Sequence, residues 1–491
     1  MMPENRKADP WFALLLLALG CACCQGTGET DPCQPDPCHD HGTCSAGSCG
    51  CTPGYAGDLC DTCAAGYQGY PECQPVISFA ASFGAGGQEW ASNVLVTENG
   101  YLLAGFTDSS GAGKYDFLFV ALDERGDITW QKTYGLTSDE KLARIRPLAD
   151  GFLAAGVTAS TGSGLWDILV LRTDLAGNLL WQRTYGGPQN DLVVDVQPVA
   201  DGFVMAGFSS SFGAGRYDYW LLKIDPGGEI VWQKAFGGSL DEMAFCLTPT
   251  EDGFLVGGSS MSFGEGGDGW LVKVDISGEI VWQKAYGGAG GESFMALAAD
   301  DTGYLAGGLS DTFGEGRGSM WLVKLDRSGD MIWQKAFWGS GYENLAAIRP
   351  LGSGYILAGT SSSASAGQDD FWLVRLDGNG EILWQKTYGG AGRDFAMAIE
   401  PAGDGLVLAG YSESFGKGQW DLWLLRLDGN GDLASCANTD LGRSSAVNSA
   451  EARATVQDTR CNALSTTAAS ADVTLQEQTA HIESVFQCGG R

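Results

Sequence analysis

The sequence lacks histidine where a catalytic site would need it. Only three histidines occur in 491 residues, and none lies between residues 77 and 435. That region therefore cannot build a Ser-His-Asp or Cys-His nucleophile. Basic residues are also few, since 29 Lys and Arg stand against 60 Asp and Glu, giving a net charge of −31. So acidic a chain repels phosphate backbones and anionic lipids, and nucleic acid is not an expected partner.

Long apolar runs are absent beyond the N-terminus. The run WFALLLLALG at Trp11–Gly20 follows two basic residues and is too short to span a bilayer, which is typical of a secretory signal peptide. Its end, Leu17–Cys21, resembles the lipobox of bacterial lipoproteins, which implies lipid attachment at Cys21; simple cleavage near Ala22 is the alternative. We expect a signal peptide over residues 1–20 and a linker over 21–32. The protein should be exported and lipid-anchored to the bacterial cell surface or outer membrane, or otherwise secreted.

Cysteine is concentrated near the N-terminus, where eight of the 15 lie within residues 33–73. A segment of about forty residues buries too little core to fold unaided, and disulfides commonly supply the missing stability. The CGC triplet at Cys49–Cys51 and the GYAG and GYQG motifs resemble the laminin-type EGF-like module. That resemblance implies the pairs Cys33–Cys44, Cys38–Cys49, Cys51–Cys60 and Cys63–Cys73. No acidic calcium signature precedes the module, and zinc bound with His39 and His41 is the alternative to disulfides.

A short phrase recurs through the rest of the chain. Copies of WQKTYGG place six tryptophans at spacings of 50 or 51 residues, and Phe79 lies 51 residues before the first; they are Trp130, Trp181, Trp232, Trp282, Trp333 and Trp384. A period near fifty residues with short DG and DxxG turns suits four strands per repeat. The seven repeats predict an all-β fold, a seven-bladed β-propeller over residues 77–435 preceded by the small disulfide-rich EGF-like module.

The last repeat lacks its WQK strand, while one strand is spare at the start. We therefore predict that Ile77–Phe83 pairs with Asp421–Asp428 and closes the ring. The stretch DGFVMAGFSSSFGAGRYDYWLLKIDPGGEIVWQKAFGG at Asp201–Gly238 resembles bacterial secreted propeller repeats. The resemblance covers Ile77–Ser435 and implies a propeller and extracellular use, with no catalytic residues to transfer. The role of the Ser-, Thr- and Ala-rich tail at 436–491, with cysteines at 436, 461 and 488, stays open.

Two acidic columns recur among the repeats. Ten residues after each WQK aromatic stands a carboxylate: Glu89, Glu140, Asp191, Glu242, Glu292, Glu343 and Asp394. These seven either form an axial collar that binds a cation such as calcium, or each ties a crossover to a neighbouring blade with the Lys of WQK. The second column, Asp116, Asp167, Asp218, Asp268, Ser319, Asp370 and Asp421, is interpreted as loop-closing hydrogen-bond acceptors. The string DGNGD at Asp428–Asp432 is interpreted as a hairpin turn, with a calcium loop as the alternative.

Two further columns and one cysteine are interpreted as structural. The tryptophans Trp220, Trp270, Trp321, Trp372 and Trp423 are expected in the core, with a carbohydrate platform as the alternative. The basic column Arg172, Lys223, Lys273, Lys324, Arg375 and Arg426 is expected on a solvated or salt-bridged strand face. Cys246 lies between apolar residues and is expected to be a small buried filler.

These patterns favour a non-enzymatic exported protein that binds or adheres at the cell surface, with a propeller held on an EGF-like stalk. The expected partner is a protein or glycan, and the chain is expected to be a monomer that meets a membrane only through a lipid anchor. No catalytic residue is assigned, and no cofactor is expected apart from calcium at the collar. The alternative is an exported propeller enzyme, either a glycoside hydrolase, since carboxylates are plentiful, or a quinone-dependent oxidoreductase.

Overall fold

Strands are the only regular elements among the residues that the structure describes. The computed structural model describes residues 41–45, 48–52, 55–56, 59–60, 62–63, 67–68, 74–75, 78–314, 318–363, 365, 367–433, 442–444, 448–451, 455–458, 464–465, 469–472, 476–479 and 483–488. None of these residues forms a helix long and apolar enough to cross a membrane. Contacts divide the chain into two units, Met1–Pro75 and Val76–Arg491.

The first unit contains three short antiparallel pairs. They are β1 (Gly42–Ser45) with β2 (Ser48–Cys51), β3 (Tyr55–Ala56) with β4 (Thr62–Cys63), and β5 (Tyr67–Gln68) with β6 (Gln74–Pro75). The expected Cys51–Cys60 disulfide is present. Cys44 and Cys49 are also disulfide-bonded, and their expected partners Cys33 and Cys38 lie outside the described residues, as do Cys73 and Cys21. The Cys51–Cys60 bond ties the end of β2 to the segment between β3 and β4, and so supports strands that are too short to be stable by pairing alone.

The second unit is a ring of seven sheets, called blades 1 to 7 in chain order. The first strands of the blades are β8 (Glu89–Thr97), β12 (Glu140–Leu148), β16 (Asp191–Val199), β20 (Glu242–Thr250), β24 (Glu292–Asp300), β28 (Glu343–Leu351) and β32 (Asp394–Ala402). The second strands are β9 (Gly100–Thr107), β13 (Gly151–Thr158), β17 (Gly202–Ser209), β21 (Gly253–Ser260), β25 (Gly303–Ser310), β29 (Gly354–Ser361) and β33 (Gly405–Ser412). Each first strand contacts those of the two adjacent blades, and β32 contacts β8, so the first strands surround a central axis.

The third and fourth strands continue each blade outward. The third strands are β10 (Asp116–Leu122), β14 (Asp167–Asp174), β18 (Asp218–Ile224), β22 (Asp268–Asp275), β26 (Ser319–Leu325), β30 (Asp370–Leu376) and β34 (Asp421–Leu427). The fourth strands, which carry WQK in five blades and WQR in blade 2, are β11 (Ile128–Gly135), β15 (Leu179–Gly186), β19 (Ile230–Phe236), β23 (Ile280–Gly287), β27 (Met331–Trp338), β31 (Ile382–Tyr388) and, in blade 7, β7 (Phe79–Gly84). Because β7 pairs antiparallel with β34, the predicted closure of the ring by the N-terminal strand is confirmed.

The tail adds a fifth strand to every blade, which the sequence did not reveal. From blade 6 down to blade 1 these strands are β35 (Gly442–Ser444), β36 (Asn448–Glu451), β37 (Thr455–Asp458), β38 (Leu464–Ser465), β39 (Ala469–Asp472) and β40 (Gln476–Thr479), and β41 (Glu483–Cys488) completes blade 7. The four strands expected from each repeat therefore form only part of a five-stranded sheet, and the WQK strand is not its edge. The physical reason is that an edge strand presents unpaired N–H and C=O groups, which a second segment can pair through its backbone without a hydrophobic pattern.

The DxxG turns form because an aspartate side chain closes them and a glycine completes the bend. In blade 3, Asp225 Oδ1 accepts hydrogen bonds from the N–H groups of Gly227 at 2.9 Å and Glu229 at 2.8 Å. Gly228 has φ of 88°, in the left-handed region that favours glycine. Asp428 closes the DGNGD turn in the same way, which is the geometry of the hairpin interpretation.

The core lies between the blades. Seven hydrophobic clusters form among the described residues, one at each blade interface. The tryptophan column is buried as predicted, and Trp270 is fully buried against Tyr219 and Phe263, with ring centroids 4.6 and 5.1 Å away. The basic column is less solvated than expected, since Lys273 is 2% exposed and bridges Asp252 at 2.6 Å. Side chains of adjacent sheets therefore fill the space between the blades.

Candidate functional site: the entry face and the axial channel

The seven collar carboxylates lie at one end of the ring, here called the entry face. Each is the first residue of a first strand and is at most 3% exposed. Each accepts a hydrogen bond from the backbone N–H four residues earlier, at 2.6–2.9 Å. Each also accepts one from the Ser or Thr hydroxyl 18 residues later, in the second strand. The carboxylates thus fasten the crossover that brings the chain in from the preceding blade.

Cation binding by this collar stays a prediction. Among the described residues, no group of three or more His, Cys, Asp or Glu side chains is arranged to hold a metal ion. The structural alternative had the lysines of WQK pairing with the collar, but these lysines pair elsewhere. They reach the residue that follows the DxxG turn of the next blade; Lys284 Nζ, for example, lies 2.7 Å from Asp330 Oδ1. The adjacent Tyr286 hydroxyl donates to Gly329 O at 2.7 Å, so the phrase WQKxYG docks one blade on the next.

The second acidic column closes loops, as interpreted from the sequence. Asp218 Oδ2 accepts the N–H of Gly215 at 2.8 Å, and its equivalents in three other blades make the same bond. The other oxygen, Oδ1, is buried and has no hydrogen-bond partner within the described chain. Burial raises the pKa of this carboxyl to about 6, against backbone hydrogen bonds that lower it, and the charges of Glu242 and Asp241 raise it further.

The two acidic columns meet at the blade interfaces. A Cβ placed on Gly237 would lie 1.8 Å from Asp218 Oδ1 and 2.7 Å from Glu242 Oε2, so these oxygens are at most 4.5 Å apart. Gly237 comes from the WQKAFGG phrase, and any side chain there would collide with both acids. Burial likewise raises the pKa of Asp116, Asp167, Asp268 and Asp421 to about 6. Each such interface therefore holds two carboxyl groups that resist being charged together.

Aromatic side chains crowd the entry face over blades 7 and 1. Trp90 packs against Tyr411, Trp420 and Phe106 with ring centroids 4.4, 5.5 and 5.9 Å away. Phe395 adds contacts to Tyr411 and Trp420 at 5.4 and 5.8 Å. All five rings are partly exposed. They form one continuous surface at the rim of the axis, here called the aromatic patch.

Polar groups border the aromatic patch. Gln88 Oε1 accepts hydrogen bonds from Tyr115 Oη at 3.1 Å and from Trp90 Nε1 at 3.4 Å. On the blade 2 side, Lys141 Nζ lies 4.6 Å from the centroid of the Tyr115 ring and 5.8 Å from that of Trp166, within the range of a cation–π contact. The patch thus combines flat apolar surface with hydrogen-bonding groups at its edge.

The opposite half of the entry face is hollow. Where blades 7, 1, 2 and 3 have Trp420, Tyr115, Trp166 and Tyr217 before the third strand, blades 4, 5 and 6 have Gly267, Gly318 and Asp369. A depression of about 540 Å³ lies there, lined by residues that include Phe245, Met261 and Tyr342. The blades around it keep the same strands. An aromatic residue before the third strand is therefore not required to build a blade.

The axial channel is the second concave feature. It encloses about 300 Å³ between the first strands of blades 2 to 7 and contains five charged residues: Arg144, Arg146, Asp195, Arg349 and Glu400. Cys246, the one free cysteine among the described residues, also lines it. Burial raises the pKa of the Cys246 thiol well above its ordinary value, so the thiolate is disfavoured.

The sequence did contain the signal for these residues. Each lies at the fifth or seventh position of its first strand, and those positions vary among the blades: the fifth positions, for example, are Asn93, Arg144, Asp195, Cys246, Ala296, Ala347 and Ala398. Residues that the fold of a blade requires recur in every repeat, whereas residues that contact a small ligand are needed in only some blades. Positions that break the repeat were thus the better candidates, and the invariant carboxylates proved to have hydrogen bonds within their blades. No protein-family model matches the chain.

Proposed function

We propose that the protein is an exported, non-enzymatic surface protein that binds glycan through the aromatic patch. The observation that carries the proposal is the asymmetry of the entry face, since the position before the third strand is aromatic in blades 7, 1, 2 and 3 and is Gly or Asp in the other three. A contiguous set of partly exposed rings that the fold does not require favours a binding surface. Sugars present C–H faces that pack on aromatic rings and hydroxyls that need nearby polar partners.

Export is supported by residues outside the propeller. The Trp11–Gly20 run has the length and flanks of a signal peptide, and the Cys51–Cys60 disulfide suits an oxidising compartment. Anchoring through Cys21 and an EGF-like stalk at residues 33–73 complete the proposal. Mass spectrometry of the mature N-terminus tests it: a diacylglyceryl-modified Cys21 is expected, and an unprocessed N-terminus recovered with the cytoplasm would refute export.

Binding is tested by titrating the protein with each member of a panel of oligosaccharides. Each sugar that binds is then assayed for released reducing ends, which would report hydrolysis. Trp90→Ala should weaken binding of any positive sugar at least tenfold, because this ring contacts three other members of the patch. The matched control is Met243→Ala, which changes the equivalent position of blade 4 outside the patch. Equal loss in both variants would argue against the patch, and turnover of a bound sugar would favour the hydrolase alternative.

A further inference from the structure

The charged residues of the axial channel are not balanced. Three guanidinium groups, on Arg144, Arg146 and Arg349, face two carboxylates, on Asp195 and Glu400. The channel therefore holds a surplus positive charge inside a chain whose net charge is −31. An unmatched cation in a confined space is costly, because the charge loses water that nothing replaces.

Two of the three arginines have structural partners. Arg146 donates to Asp195 Oδ1 at 2.6 Å and to Val196 O at 2.9 Å, which joins blade 2 to blade 3. Arg349 donates through Nε and Nη2 to Glu400 Oε1 at 3.1 and 2.6 Å, which joins blade 6 to blade 7. These two side chains act as locks between adjacent first strands.

Arg144 has no such partner. Its Nε lies 3.8 Å from Asp195 Oδ1, beyond hydrogen-bonding distance, and is a buried donor without a bond in the described chain. In blade 1 the equivalent residue, Asn93, accepts the N–H of Ile145 and so locks two blades together. One blade further on, the corresponding N–H, that of Val196, already donates to the carboxylate of Asp195. Arg144 is left with a long ion pair to Asp195 Oδ1, an oxygen that already accepts hydrogen bonds from Arg146 and from the N–H of Val196.

A bound anion would improve the surroundings of Arg144, whose side chain is 21% exposed. Burial lowers the pKa of the guanidinium, and the charges of Arg146 and Arg349 lower it further, against Asp195, which raises it. A carboxylate is the natural partner because its two oxygens match the guanidinium fork.

Apolar and neutral polar side chains complete the channel wall. Leu297 and Met397 are partly exposed and line the same cavity as the arginines, together with Gln197 and Thr248. The volume of about 300 Å³ is at the lower end of the range for small-molecule sites. We propose that the axial channel binds a small carboxylic acid, with its carboxylate on Arg144 and its apolar body against Leu297 and Met397. This site is separate from the aromatic patch, so either proposal can fail without the other.

Methionine methyl NMR on the full-length protein tests the channel directly. Hexanoate and benzoate are titrated in parallel with hexanamide and benzamide, which have nearly the same shape without the charge. We expect the Met397 methyl signal to shift in a saturable way with at least one acid, and the matching amide to bind at least tenfold more weakly. The methyl signal of Met261, which lines the hollow of the entry face, should not move.

Variants at Arg144 supply the second measurement. Arg144→Gln should weaken binding of the acid at least tenfold, while Arg144→Lys, which keeps the charge, should lose less. The control is Arg125→Gln, which removes an exposed arginine from the turn between β10 and β11 and should leave the affinity unchanged. Failure of both acids to shift Met397, equal binding of acid and amide, or full affinity in Arg144→Gln would overturn the proposal. The comparison of acid and amide uses the unchanged protein, so it decides even where a variant does not fold.

Discussion

Replacing Asp218 by Asn should stabilise the protein at neutral pH. The carboxyl of Asp218 is buried at the interface of blades 3 and 4, with one oxygen bonded to Gly215 N–H and the other at most 4.5 Å from Glu242. An asparagine side chain can keep the first bond through its oxygen and donate its NH₂ toward Glu242. The variant therefore exchanges a repulsion between two acids for a hydrogen bond.

The size and sign of this effect follow from the raised pKa. A rise from 3.8 to about 6 in the folded state corresponds to an upper limit of about 3 kcal/mol, at 1.36 kcal/mol per unit. Solvent near the loop reduces it, so we expect about 1–2 kcal/mol. Because the folded carboxyl holds its proton more tightly than the unfolded one, this group's contribution to stability falls as pH rises from about 4 to 6. Asparagine does not titrate, and the gain should appear at pH 7.5 and vanish near pH 3, below the unfolded pKa of 3.8.

Urea unfolding followed by tryptophan fluorescence measures the difference at the two pH values. Asp127→Asn is the matched control, since Asp127 lies exposed in a turn outside the interface and should change stability little at either pH. The reasoning would be refuted if Asp218→Asn were less stable than the parent at pH 7.5. An equal gain at both pH values would also count against it, because the effect would then not come from ionisation.

Two further changes test the ring itself. Trp270→Ala should lower the free energy of unfolding by about 3–5 kcal/mol, since the side chain is fully buried between Tyr219 and Phe263; a loss below 1 kcal/mol in chemical denaturation would contradict its place in the core. Deleting residues 78–84 removes β7 and should abolish cooperative thermal unfolding, whereas deleting 434–491 removes only the fifth strands and should lower the melting temperature while the transition stays cooperative. A protein without β7 that melts like the full chain would disprove closure by the N-terminal strand.

Much of the propeller could be predicted because every blade needs the same kinds of residue at the same positions of its repeat. The spacing of Trp130 and its equivalents fixed the number of blades, and the missing WQK strand after Asp421 fixed the way in which the ring closes. The hydrogen bond from Tyr286 to the next blade could not be predicted from the sequence, because its acceptor is a backbone carbonyl, which every residue provides. The charged residues of the channel, such as Arg144, could not be predicted from features that all seven repeats share, because they occupy positions at which the repeats differ.

The fifth strands have a regular register that sets the length of the tail. Residues 444, 451, 458, 465, 472 and 479 lie opposite the equivalent Lys or Arg of WQK in blades 6 to 1, and Phe486 lies opposite Ala81 in blade 7. The tail thus advances by seven residues for each blade it passes, in the order opposite to that of the blades. Loss of one residue between two of these strands would turn the side chains of every later strand to the other surface of its sheet. The sequence of this segment can therefore change in evolution far more freely than its length.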